Sequence, residues 1–142
     1  MRLHAVMLAA LVAGLAAGCG AGGKDNEYAA YEDLLKHQLA MVEQFTARVK
    51  QVASAEEMAA AVREFNLELQ VVREEIVALE ERYPEMPLLA EDPPSLQDEL
   101  TLLERAGADL NMAIMEKAEY FLDPQVEEAF RETSAIMTEI GM

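Results

Sequence analysis

The chain has 142 residues, no tryptophan, a single cysteine and a formal net charge of −16, because 27 acidic residues stand against only 11 basic ones. This length suits one domain with its own core. The composition argues against nucleic-acid binding, because nucleic acid repels a polypeptide with this much negative charge. The negative charges are spread along the chain, which is typical of solvated helix faces.

The first 18 residues have the features of a secretory signal. Arg2 and the N-terminal amine make the start positive, and residues 5–17 form an uncharged run, mostly of Ala, Leu and Val. This run of about 13 residues is too short to span a bilayer as a helix, which needs about 20. The last three residues before Cys19 are small, as a signal-peptidase site requires.

Cys19 follows this signal, and the stretch Leu15-Ala16-Ala17-Gly18-Cys19-Gly20 resembles the lipobox of bacterial lipoproteins. The family usually has Leu three residues before the cysteine, and here Leu lies one position further back. The resemblance implies that residues 1–18 are removed and that Cys19 carries acyl chains such as palmitate. A lipid on the thiol also explains an unpaired cysteine in an exported chain. The alternative is an ordinary cleaved signal, with Cys19 as a bystander.

Residues 19–26 are predicted to be the lipidated cysteine and a flexible tether, and residues 27–142 a helical bundle domain. Apolar residues recur at alternating steps of three and four, which predicts helices over about residues 26–52 and 55–83. The seam residues are Tyr28, Tyr31, Leu35, Gln38, Val42, Phe45, Val49 and Val52, then Met58, Val62, Phe65, Leu69, Val72, Ile76, Leu79 and Tyr83. Ser54 and Glu57 form a capping-box pattern between them. The sequence therefore predicts a long antiparallel hairpin with coiled-coil-like packing.

The second half of the chain predicts two more helices, over about residues 95–121 and 124–140. Gly107 lies on the third seam, where it would either let a neighbouring helix approach closely or mark a bend. Asp123 suits a helix cap, and Pro124 suits the first helical position. The fold class is therefore all-α, a long antiparallel helical hairpin extended to a three- to four-helix bundle.

Candidate metal ligands are few. Met112 and Met115 form a Met-x-x-Met pair, and His37 and Met41 lie one turn apart on the first helix. Thioether ligands select Cu(I), but the favoured interpretation is methionine that fills gaps in the core and at its boundary. Leu34 stands three residues before His37, so the Glu-x-x-His motif of di-iron bundles is absent there. We predict no metal and no cofactor.

No pairing of a nucleophile with a base stands out, since Ser54 and Ser95 are better explained as caps, so we predict that the protein is not an enzyme. The Pro-bounded connector between the second and third helices carries Met86, Leu88 and Leu89. These apolar residues either tuck over the end of the bundle or bind a partner.

The whole pattern resembles the small helical lipoproteins of bacterial genomes, a resemblance that implies no activity. Gly20, which follows the cysteine, implies sorting to the outer membrane, on its periplasmic face. We expect a structural or interaction role, as an adaptor or accessory subunit for envelope proteins. The alternative is a periplasmic module that binds Cu(I) or a small apolar molecule. Self-association of two hairpins through the unbroken second seam is a further possibility.

Overall fold

The computed structural model describes residues 25–84 and 96–140, with side chains described from residue 29 onward. These residues form four α-helices and no strand, so the prediction of an all-α bundle is confirmed. The helices are α1 (Asp25–Gln51), α2 (Ala55–Arg82), α3 (Gln97–Glu116) and α4 (Pro124–Glu139), with a 3₁₀ helix (Ala118–Leu122) between α3 and α4.

A tight turn joins α1 to α2 and has the predicted capping box. The Ser54 hydroxyl accepts a hydrogen bond from the Glu57 N–H at 3.2 Å, and the Glu57 carboxylate accepts one from the Ala53 N–H at 2.7 Å. One backbone donor of the helix start, the Glu57 N–H, is thereby satisfied, as is the N–H of Ala53, which precedes the cap. We call this end of the bundle the turn end, and the end where α1 begins the open end.

The first two helices are antiparallel and keep one register along their length. Near the turn end the rings of Phe45 and Phe65 stack with centroids 4.4 Å apart. Further toward the open end, His37 lies against Glu75 in the same register. The long hairpin predicted from the two apolar seams is therefore present.

The third helix packs on α1 and runs parallel to it. At the turn end the ammonium group of Lys117 donates a hydrogen bond to the Val52 carbonyl at 2.7 Å. The buried side of α3 includes three small residues, Ala106, Gly107 and Ala113. Because Gly107 has no Cβ, the backbones of α1 and α3 can approach closely, and these two helices share the most extensive contact in the described part of the bundle.

The fourth helix packs on α2 and is likewise parallel to it. Asn66 donates from its amide to the Ala129 carbonyl at 3.0 Å, and the Thr133 hydroxyl donates to the Asn66 amide oxygen at 2.6 Å. Both polar side chains are buried, so these bonds fix the position of α4 along α2. In the bundle α1 and α2 therefore pack on each other, α3 lies on α1 and α4 lies on α2.

The third helix is shorter than predicted. Instead of continuing to residue 121, α3 ends at Glu116, and a 3₁₀ helix follows the turn at Lys117. At this break the Lys117 N–H bonds to the Ile114 carbonyl at 3.0 Å, three residues back instead of four, and the Lys117 ammonium group bonds to the α1–α2 hairpin. After this break, Phe121 stacks on Phe130 of α4 with ring centroids 4.9 Å apart.

The helix starts in the second half follow the prediction only in part. The Asp123 carboxylate accepts from the Gln125 N–H at 2.8 Å, and Pro124 is the first residue of α4, as predicted. The helix α3 begins after Leu96, which makes no side-chain cap. Ser95, the cap predicted there, lies outside the described residues.

The core follows the predicted seams. The α1 seam is buried from Tyr31 to Val52, and the α2 seam is buried as far as Val72. Nearer the open end, Ile76 and Leu79 are only half-buried, because α4 ends at Glu139, beside Arg73 of α2. Gln38, which stands among the apolar residues of the α1 seam, is fully buried, and its amide oxygen has no hydrogen-bond partner in the described part of the structure.

Candidate functional site

The side of the α1–α2 hairpin that faces away from α3 and α4 is an open furrow, which we call the outer groove. Two depressions lie along it, and only residues of α1 and α2 line them. The residues that line or cross the groove are Ala30, Asp33, His37, Met41, Gln44, Arg48, Glu64, Glu68, Glu75, Ala78 and Arg82.

Polar side chains bridge the outer groove at two places. His37 of α1 reaches two glutamates of α2: its Nδ1 lies 2.7 Å from a Glu75 oxygen, and its Nε2 lies 3.7 Å from a Glu68 oxygen. Nearer the turn end, Arg48 pairs with Glu64. The Arg48–Glu64 pair is solvent-exposed, and an ion pair of this kind contributes about 0.2–1 kcal/mol. The contacts of His37 and Arg48 fix the position of α1 along α2, and the side chains that make them stay partly exposed to solvent.

The two depressions lie on either side of His37. The one toward the turn end has a volume of about 170 Å³ and is lined in part by Met41, Phe45 and Leu67. The one toward the open end has a volume of about 320 Å³, with Leu34 and Leu79 among its lining residues. Both are open to solvent, so they can accept a protruding side chain but do not enclose a small molecule.

A row of exposed residues runs along α2 beside the outer groove. This outer stripe consists of Ala60, Glu64, Leu67, Val71, Glu74 and Ala78, all exposed and spaced alternately four and three apart. Leu67 is 63% exposed and Val71 is 44% exposed, although both are large aliphatic residues. The spacing of this second row is visible in the sequence, but the prediction for α2 included only the inner seam.

The two methionines of the Met-x-x-Met pair are exposed, so their interpretation as core or boundary residues is wrong. Met112 is 61% exposed and Met115 is 68% exposed. The reason is that α3 packs on α1 through the face that carries Leu110 and Ala113, and the methionines lie on its solvent side. Met41, in contrast, is buried, as a core methionine should be.

The structure does not bring the candidate metal ligands together. His37 contacts glutamates of α2 in the outer groove, whereas Met112 and Met115 lie on the solvent side of α3. Among the described residues, no group of three or more His, Cys, Asp or Glu side chains is arranged to hold a metal ion. The other predicted site residues, Cys19 and the connector residues Met86, Leu88 and Leu89, lie outside the described residues.

One titratable group on the inner side of the hairpin has a shifted pKa. Burial raises the pKa of the Tyr31 hydroxyl above its usual value of 10.0, and the nearby carboxylate of Glu80 raises it further. Both effects disfavour the phenolate, one by removing water and the other by repulsion. Tyr31 therefore keeps its proton in the folded bundle at a pH where a free tyrosine would lose it.

Comparison with known proteins found no relative: no protein-family model matches the chain, and no curated protein or solved structure is significantly similar to it. No helix in the described part of the chain combines the length and the apolar character that a membrane crossing needs.

Proposed function

We propose that this protein is a lipid-anchored component of a bacterial cell envelope, held at the periplasmic face of the outer membrane, and that it acts by binding another envelope protein. It has no catalytic role in this proposal. The main support for the lipid anchor is the position of Cys19, directly after an uncharged run that ends in small residues. Two or more acyl chains on such a cysteine give stable attachment to a bilayer.

The start of α1 limits how far the bundle can lie from its anchor. Only residues 20–24 separate Cys19 from the first residue of α1. Whatever its conformation, a chain of this length spans at most about 22 Å. The open end is therefore held near the membrane surface in this proposal. The α1 helix of 27 residues is about 40 Å long, so the turn end can reach well into the periplasm.

Exposed apolar side chains support a binding role. Leu67 and Val71 lie one helical turn apart and are open to solvent on the outer stripe. Contiguous exposed apolar residues with a polar rim are typical of protein interaction sites. The alternative role in binding Cu(I) or a small apolar molecule has less support, because its two candidate ligand pairs lie on different helices and the depressions of the outer groove are open.

The anchor is tested by comparing the wild-type protein with Cys19→Ala in growing cells. We expect the wild type in the membrane fraction, with an intact mass that includes acyl chains, and the variant in the soluble periplasmic fraction. Ala21→Ser is the matched control, because it changes the tether and leaves the cysteine. A wild-type protein without acyl mass, or a Cys19→Ala variant that stays with the membrane, would contradict the proposal.

The binding role is tested by crosslinking in the same cells, followed by affinity recovery and mass spectrometry. We expect the wild type to capture one envelope protein reproducibly and Cys19→Ala to lose it, because the anchor brings the two together. If the wild type captures no protein above the background of an unrelated lipoprotein, the interaction role is wrong.

A further inference from the structure

The outer stripe of α2 has the geometry of a second helix-packing seam. Its members follow the same alternation of four and three residues as the inner seam, and this alternation places them in one row along the helix. Leu67 and Val71 form the aliphatic centre of the row. No described helix covers it, and Leu67 borders the depression that contains Met41 and Phe45. The stripe can therefore accept one more helix.

Carboxylates frame this aliphatic centre. Glu64, which pairs with Arg48 of α1, lies three residues before Leu67, and Glu74 lies three residues after Val71. Along its whole length α2 carries eight acidic residues and three basic ones. One of the basic residues, Arg73, is paired with Glu139 of α4. A partner that covers the stripe must supply positive charge beside its own apolar residues, because interfaces match opposite charges.

A second copy of this chain does not meet that requirement. If two outer stripes pair antiparallel about their centre, Leu67 lies opposite Val71 of the second copy, and Glu64 lies opposite Glu74. If they pair parallel, each glutamate lies opposite its own counterpart. In the parallel arrangement the two Glu74 carboxylates meet, and either arrangement brings together two chains that each have a net charge of −16. An anionic lipid surface is repelled for the same reason.

We propose that the outer stripe of α2 binds a basic amphipathic helix of the partner protein, which packs along α2 as a fifth helix. The bound helix presents an aliphatic pair to Leu67 and Val71 and a Lys or Arg about one turn away, facing Glu74, whereas Glu64 already pairs with Arg48. This inference rests on the proposed function, because it describes the chemistry of the partner that the anchored protein binds.

The test titrates the purified full chain with a labelled synthetic helix and measures fluorescence anisotropy. The probe has about 20 residues, long enough to be helical, with a Leu pair flanked by lysines at the spacing of the stripe. A control probe carries glutamates in place of the lysines. We expect saturable binding of the lysine probe and none of the glutamate probe.

Three variants separate specific docking from attraction to an acidic surface. We expect Leu67→Ser combined with Val71→Ser to weaken binding about tenfold or more, and Glu74→Lys to weaken it by a similar factor. Leu102→Ser is the matched control, because Leu102 is 48% exposed but lies on α3, and we expect it to change nothing. Circular dichroism checks that every variant stays helical. Absence of saturable binding, or equal weakening by the Leu102 variant, would overturn the proposal.

Two further measurements distinguish a failure of the stripe proposal from a failure of the proposed function. Light scattering that shows a dimer of the wild type, lost in the Leu67 and Val71 double variant, would mean that a second copy is the occupant and would overturn the inference. Crosslinking in cells is then repeated with this double variant. Loss of the captured protein, with the membrane location retained, supports the stripe. Capture unchanged by the double variant contradicts the stripe and leaves the anchored binding role intact.

Discussion

The inner and outer faces of α2 have the same spacing of residues and opposite surroundings. On the inner face Val62, Leu69 and Val72 are completely buried against the rest of the bundle. On the outer face Leu67 and Val71 occupy equivalent positions and remain in solvent. The inner seam is apolar throughout. On the outer stripe, in contrast, Glu64 and Glu74 interrupt the row of apolar residues.

This difference shows how one helix can serve the fold on one side and recognition on the other. An uninterrupted apolar seam buries itself within its own chain, because every member gains from leaving water. A short apolar pair between carboxylates gains less, since its burial also desolvates the charges unless opposite charges compensate them. The outer stripe is therefore suited to a partner of matching charge, and the inner seam to any apolar face.

The largest loss of stability is expected from a substitution in the buried inner face of α2. Replacing Leu69 with Ala should lower the free energy of unfolding by about 3–5 kcal/mol, because it removes a fully buried side chain and leaves a cavity. Urea unfolding followed by circular dichroism measures the loss. A loss below about 1 kcal/mol would show that the inner face of α2 is loosely packed, which would remove the contrast with the outer face.

A smaller effect is expected from the polar pair that fixes α4 on the inner side of α2. Thr133→Val should cost about 1–3 kcal/mol, because it leaves the buried amide oxygen of Asn66 without its donor. Combining it with Asn66→Leu should cost less than the two single changes together, since apolar groups then replace both partners. The interaction energy in a double-mutant cycle measures this. Strict additivity would contradict a bonded pair.

The inner seams could be predicted from the sequence because burial repeats with the helix period. Val42 and Leu69 are examples, since each stands in a regular row of apolar residues and each is buried. The capping residues Ser54 and Asp123 could be predicted as well, because their bonds are local. Such features need no knowledge of how the helices are arranged.

Features that depend on the pairing of the helices could not be predicted. Asn66 is buried only because α4 lies beside it, and no local pattern indicates that a polar residue outside the seam will be covered. Met112 and Met115 are apolar in sequence, but the side of α3 that packs on α1 leaves them in solvent. The outer groove required the register of α1 against α2, since His37 and Glu75 are 38 residues apart in the chain.

The pH dependence of stability tests whether Tyr31, near the open end of α1, is buried in the folded protein. Between pH 10 and the raised pKa of Tyr31, the folded state keeps a proton that the unfolded chain releases. The free energy of unfolding therefore falls as the pH rises through this range, and this contribution to stability is complete only below pH 10. Tyr31→Phe should make the decline shallower, as measured by urea unfolding at several alkaline pH values. Identical declines for both proteins would mean that Tyr31 is hydrated in the folded state.

The smallest effect is expected on the outer stripe, and it completes the comparison with Leu69. Leu67→Ala removes the same number of atoms as Leu69→Ala, but from a side chain that is 63% exposed, so stability should change by no more than about 0.5 kcal/mol. The matched pair of variants measures how much burial alone contributes at two positions of one helix. A loss above about 1 kcal/mol for Leu67→Ala would mean that the stripe is already covered in the isolated protein, and the stripe could then bind a partner only by displacing that cover.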